Sequence, residues 1–157
     1  MNLVKKHLKN ERGLTLIELL AVVVILGIIA AIAIPSIGGL IDNSKKDAHV
    51  ANARQMVSAG KLAITGDQSL AKGTHYLPLG YLEAQNYVEH IKSPDKGSNY
   101  SNGGTTVGTA APSGSYVVIE NGSVTTVKLV NTTRGVQAAG GAAVDINNLD
   151  RDDVLNN

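Results

Sequence analysis

The sequence predicts an α+β fold in which a long N-terminal helix, apolar in its first half and amphipathic in its second, carries a small antiparallel β-sheet. Three observations predict it. Residues Leu19 to Ile41 contain no charged side chain. Apolar and small residues then recur at three- and four-residue steps as far as Leu62, the period of one helix face. Further on, two β-branched runs flank Asn121-Gly122 in S-Y-V-V-I-E-N-G-S-V-T-T-V-K-L-V, the strongest short-range hairpin signal. The expected organisation is a basic segment at 1–13, an apolar helix half at 14–41, an amphipathic half at 42–64 and a globular head at 65–157.

The basic segment sets an orientation. Lys5, Lys6, Lys9 and Arg12 stand against Glu11, whereas the remainder of a chain of net charge +1 is slightly acidic. A short basic stretch before an apolar run keeps its own side in the cytoplasm and sends the rest of the chain outside. As a helix, Leu19 to Ile41 spans roughly 34 Å, against about 30 Å for a hydrocarbon core. A buried core helix is a poor alternative, because so short a chain has little else to wrap around a segment apolar on every side. A secretory signal with cleavage near Ala31-Ile32-Ala33 is the stronger rival. Against it stand Glu18 at the front of the run, where an acid in lipid costs on the order of 3 kcal/mol, and the helical pattern that continues past Pro35.

The stretch G-L-T-L-I-E-L-L-A-V-V-V-I-L-G-I-I-A-A-I-A-I-P from Gly13 to Pro35 resembles the start of type IV prepilins and of their relatives in secretion and competence systems. The resemblance covers about the first 60 residues. It implies a leader ending at Gly13, cleavage between Gly13 and Leu14 by a membrane prepilin peptidase, and N-methylation of the new amine on Leu14. Leu14 departs from the commoner phenylalanine or methionine. Counted from Leu14, Glu18 is residue five, Gly27 fourteen and Pro35 twenty-two, in register with the family pattern. The resemblance also implies that the helix stretch between such residues as Gly27 and Pro35 loosens in assembled filaments. Physical reasons accompany these positions. Glycine at 13 lets the backbone approach catalytic carboxylates. Glu18, four residues from the new amine, can pair with a neighbour's amine and set the height at which helices stack, since a buried unpaired charge costs several kcal/mol. Gly27 and Pro35 weaken the helix, one by about 1 kcal/mol relative to alanine and the other by lacking an N–H.

Beyond Pro35 the expected buried seam is Ile37, Leu40, Ile41, Ser44, Ala48, Ala51, Gln55, Ala59 and Leu62, with Asp42, Lys45, Lys46, Asp47, Arg54 and Lys61 between them. The seam is mostly small, so a sheet could approach closely. Thr65-Gly-Asp-Gln ends the helix; a short helix is expected within Leu79–Ile91, packing through Leu82, Tyr87 and Ile91 and terminated by Ser93-Pro-Asp-Lys-Gly. The Gly-, Ser-, Thr- and Asn-rich stretch 97–114 reads as loop, a third strand is expected near Val144-Asp-Ile, and D-R-D-D-V-L-N-N as loop or short closing helix. This is the plan of the pilin fold. The family often closes its C-terminal region with a disulfide, which a chain without cysteine replaces by hydrogen bonds, packing or an ion.

Enzyme chemistry is not written here. No nucleophile elbow, P-loop or zincin motif is present, and no catalytic, metal or cofactor residue is assigned. His49, His75 and His90 lack ligand spacing and read as surface histidines. The oxygen-rich set Asp145, Asn147, Asp150, Asp152 and Asp153 lacks the glycine and closing glutamate of a calcium loop. The sequons at Asn99, Asn121 and Asn131 are expected by chance in so Asn-, Ser- and Thr-rich a chain. Lys46, Arg54 and Lys61 fall near one helix face, for which solvation is the favoured reading and DNA the weaker one.

By resemblance the expected function is that of a type IV pilus subunit, a homopolymer built through the N-terminal helix. Its partners would be prepilin peptidase, the assembly platform protein, a cytoplasmic ATPase acting indirectly, and membrane lipid before assembly. A pseudopilin of a competence or secretion system, and a secreted or anchored binding domain that never polymerises, are the alternatives. The protein would cross the cytoplasmic membrane once, N terminus inside, and end in an extracellular fibre.

Overall fold

A computed structural model describes residues 3–157, with side chains from Thr15 onward. The chain divides into two compact units, Met1–Asp42 and Asn43–Asn157. Helix α1 (Leu3–Gly66) contributes to both and runs through Pro35 without interruption. In the first unit the backbone groups are satisfied along the helix itself, the condition for an apolar segment to sit in lipid.

In the second unit α1 buries His49, Val50, Ala53, Met56, Val57, Ala59, Gly60 and Ala63. This corrects the expected seam. Of its members in this unit only Ala59 is buried and Ala48 half-buried, whereas Ser44, Ala51, Gln55 and Leu62 are not in the core. The expectation carries the phase of the apolar half onward; the bulk of Val50, Met56 and Val57 fixes a different face, because burial of large side chains outweighs that of alanine and serine. Close approach does hold. A Cβ placed on Gly60 would lie 3.0 Å from Cγ2 of Val117 and 3.2 Å from Cγ2 of Val124.

After Gly66 the helix stops as expected, and Asp67 caps a 3-10 turn, Gln68–Ala71, its carboxylate accepting from Ser69 N–H. Strand β1 (Thr74–Pro78) and helix α2 (Leu79–Ala84) come next. α2 is the short helix expected within Leu79–Ile91; it ends at Ala84, and Asn86, with a positive φ of 58°, then turns the chain. Leu82 and Ile91 nevertheless reach the core, and Tyr87 packs against it.

Strands β2 (Tyr116–Glu120) and β3 (Ser123–Val130) form the expected hairpin, with φ of 49° at Asn121 and 79° at Gly122, both positive as a type I′ turn requires. A bulge between Val118 and Ile119 shifts the register. Strands β4 (Arg134–Val136), β5 (Val144–Asp145) and β6 (Val154–Asn156) complete an antiparallel sheet of order β1-β2-β3-β4-β6, with β5 beside β3. β5 is the third strand expected. β1, β4 and β6 are additions: the C-terminal stretch expected as loop or helix holds a 3-10 turn, Arg151–Asp153, and then β6. The core combines Met56 with Leu77, Leu79, Leu82, Val117, Ile119, Val127, Leu129 and Val136.

Without a disulfide, polar contacts hold the C-terminal segment. Arg151 donates from Nε and Nη2 to the two carboxylate oxygens of Asp47 on α1, at 2.8 and 2.7 Å. Arg54 Nη2 donates to the Leu149 carbonyl at 3.1 Å, and Asn157 Nδ2 to that of Asn131 at 2.6 Å.

Candidate functional site

Two regions carry chemistry beyond ordinary packing. The first is the apolar half of α1. From Leu16 to Ile41, sixteen large apolar side chains are exposed, Leu16 at 69% and Ile32 at 72% among them. No large apolar side chain from Leu16 to Ile41 is buried. Full burial of each such side chain is worth about 1.5–3 kcal/mol, so water is the wrong solvent for this segment.

Glu18, the single charged residue between Thr15 and Ile41, is exposed on this helix. Gly27 has open space where a Cβ would stand, and Gly27 to Pro35 is helical throughout. Gly13 and Leu14, the expected cleavage pair, lie outside the residues whose side chains are described.

The second region is a polar clasp in the second unit, and the reading of its histidine as a surface residue is overturned. His49 is 0% exposed. Its Nε2 lies 2.9 Å from Asp95 Oδ2, and its Nδ1 2.7 Å from the Tyr100 hydroxyl. Asp95 also receives Arg134 Nε on Oδ2 at 2.9 Å and Nη2 on Oδ1 at 2.7 Å, with Asn131 Nδ2 at 3.0 Å. Lys45 Nζ stands 3.7 Å from Oδ1. The Arg134 guanidinium, by its hydrogen bonds, holds the Asp95 carboxyl well below the usual carboxylate range, against the opposing effect of burial. Burial pushes His49 below 6.5, with Asp95 pulling the other way. Burial also raises Tyr100, to about 12.

Short-range structure positions each member. Lys45, His49 and Asn52 fall at steps of four and three on one face of α1. Ser93 Oγ accepts from Asp95 N–H at 3.2 Å, forming a local turn that aims the carboxylate. Asn131 Oδ1 accepts from the backbone of Thr133 and Arg134, both at 2.8 Å, which sets the start of β4. The clasp therefore joins α1, the 92–100 segment and β4. Its local sequence signal is the Lys45-His49-Asn52 spacing; the other members are too scattered to be found by pattern.

The remaining expectations resolve individually. Asn131, one of the sequon residues, is buried in the clasp, whereas Asn99 and Asn121 are exposed. His75 is half-buried, its Nε2 2.8 Å from the Lys72 carbonyl oxygen. His90 is exposed beside Glu83. Asp145 accepts from Asn147, and Asp150 and Asp153 cap the turn they flank; among the described residues no group of three or more His, Cys, Asp or Glu could hold a metal. On the basic helix face, Arg54 is engaged with Leu149.

The family described as the prokaryotic N-terminal methylation motif matches residues 8–34. No curated protein and no solved structure matches the chain.

Proposed function

We propose that this chain, whose N terminus is prepilin-like, is the precursor of a type IV pilus subunit that polymerises through its N-terminal helix. The observation that carries the reading is the exposed apolar half of α1, interrupted only by Glu18 at its front. Such a surface needs two successive environments: lipid before assembly, and neighbouring helices afterwards. The motif at 8–34 and the α+β head support the same reading.

Cleavage after Gly13 leaves Leu14 with a free amine, which the peptidase methylates. Glu18 then receives the amine of an adjacent subunit among apolar helices, where an unpaired carboxylate is costly, and so fixes the height at which subunits stack. The stretch from Gly27 to Pro35 is where the helix gives way on assembly, because the Ala31 carbonyl lacks its usual donor. Residues 14–41 are the membrane and assembly segment, 42–64 the amphipathic part of the helix and 65–157 the head. The N terminus starts in the cytoplasm and the head outside, with subunit movement driven by a separate cytoplasmic ATPase through the assembly platform. Mass spectrometry of the mature N terminus tests the reading. A start at Leu14 with a methylated amine is expected; a start near Ile34, or an intact Met1, overturns it.

A further inference from the structure

The clasp is built for a neutral histidine, and its hydrogen bonds show which tautomer. Asn52 donates its side-chain amide to the Lys92 carbonyl at 3.0 Å and to the Tyr100 hydroxyl oxygen at 3.1 Å. With its oxygen receiving Asn52, the Tyr100 O–H points its one hydrogen at His49 Nδ1, 2.7 Å away. Nδ1 is therefore the acceptor, and Nε2–H donates to Asp95. A proton added at Nδ1 would meet the Tyr100 hydrogen head-on. The hydroxyl would have to turn away inside a buried site, where an unmade hydrogen bond is costly.

Of the charges nearby, Arg134 and Lys45 act in the same direction, and Asp95 acts against it. Facing His49 are Lys45 and Asn52 from α1, Asp95 and Tyr100 from the 92–100 segment, and Arg134 from β4. Asp95 is the one anion of this set and already serves Arg134 through both oxygens. A charged imidazole would be a third cation around it.

We propose that this clasp is an acid-opened latch: protonation of His49 at Nδ1 breaks its bond with Tyr100 and releases the 92–100 segment from α1. The latch is closed at neutral pH and opens as the surroundings acidify. It is independent of the filament reading, since every member lies in the second unit, Asn43–Asn157.

Hydrogen exchange measured by mass spectrometry on the full chain in detergent micelles tests the latch. Between about pH 7.5 and about pH 5, protection of 45–52 and 92–100, corrected for intrinsic rate, should fall about tenfold. His49→Gln, which cannot take a proton, should abolish that dependence. Unchanged protection in the parent, or an equal fall in the variant, overturns the proposal. Ring nitrogen NMR of His49 in the parent chain gives a test that needs no variant: a neutral ring protonated at Nε2 near pH 7 is expected, and a ring protonated at Nδ1 refutes the latch.

Discussion

The two halves of α1 satisfy opposite conditions. Between Leu16 and Ile41 the helix buries nothing of its own and offers a surface that water disfavours. From His49 to Ala63 it is covered by a sheet, and its buried histidine is matched to partners within the same unit. One carboxylate is informative in each unit. Glu18 stands exposed on an apolar rod, whereas Asp95 gathers donors from His49, Asn131 and Arg134. The contrast teaches that a carboxylate surrounded by donors serves the fold itself, whereas one set on an exposed apolar surface has no such role in the head.

The contrast breaks if the two acids respond alike. The largest expected effect is on assembly: Glu18→Ala should lower the yield of sheared filaments by about tenfold or more, while leaving the thermal unfolding of the head unchanged. Filaments at normal yield would remove the pairing role. Asp95→Asn should do the reverse, destabilising the head by about 3 kcal/mol because Arg134 and Lys45 lose their counter-charge in the clasp; chemical denaturation in detergent measures it.

A smaller effect sharpens the packing side. Gly60→Ala should cost about 1–2 kcal/mol, since the added methyl meets Val117 and Val124 within the sheet. An unchanged melting temperature would show that the valines yield freely. The mildest effect concerns acid. Folded His49 resists protonation below its ordinary value of 6.5, so its contribution is complete above that pH and declines as the unfolded chain takes up the proton first. Asp95 adds a second loss below 3.8, where the unfolded carboxylate is protonated before the folded one. Melting temperature should therefore fall from about pH 6.5 downward, and His49→Gln should remove the upper part of that slope.

How much of the molecule is legible in its sequence depends on how local each cause is. The apolar run, the end of α1 near Gly66 and the Asn121-Gly122 turn depend on neighbours in the chain, and the structure places each where the residues put it. The seam on α1 falls out of phase because periodicity gives a face only when the sheet that will cover it is known; Met56 and Val57, not Ala51 and Gln55, meet that sheet. The short strands β4 and β6 show no alternation, since three residues such as Arg134-Gly-Val are extended by their pairing with one another. The clasp is the least legible of all. Asp95 and Arg134 are 39 residues apart, and nothing in either neighbourhood announces the other. Glu18 is legible as an anomaly because it is a charge among apolar residues, whereas His49 has no such background to stand against.

The cysteine-free closure of the head has a practical consequence. Thiol reductants have no bond to cut in it. The closure depends instead on hydrogen bonds between ionisable side chains, His49 with Asp95 and Arg151 with Asp47. For a protein closed in this way, buffer pH is the variable to control at the bench, and reducing agent is not.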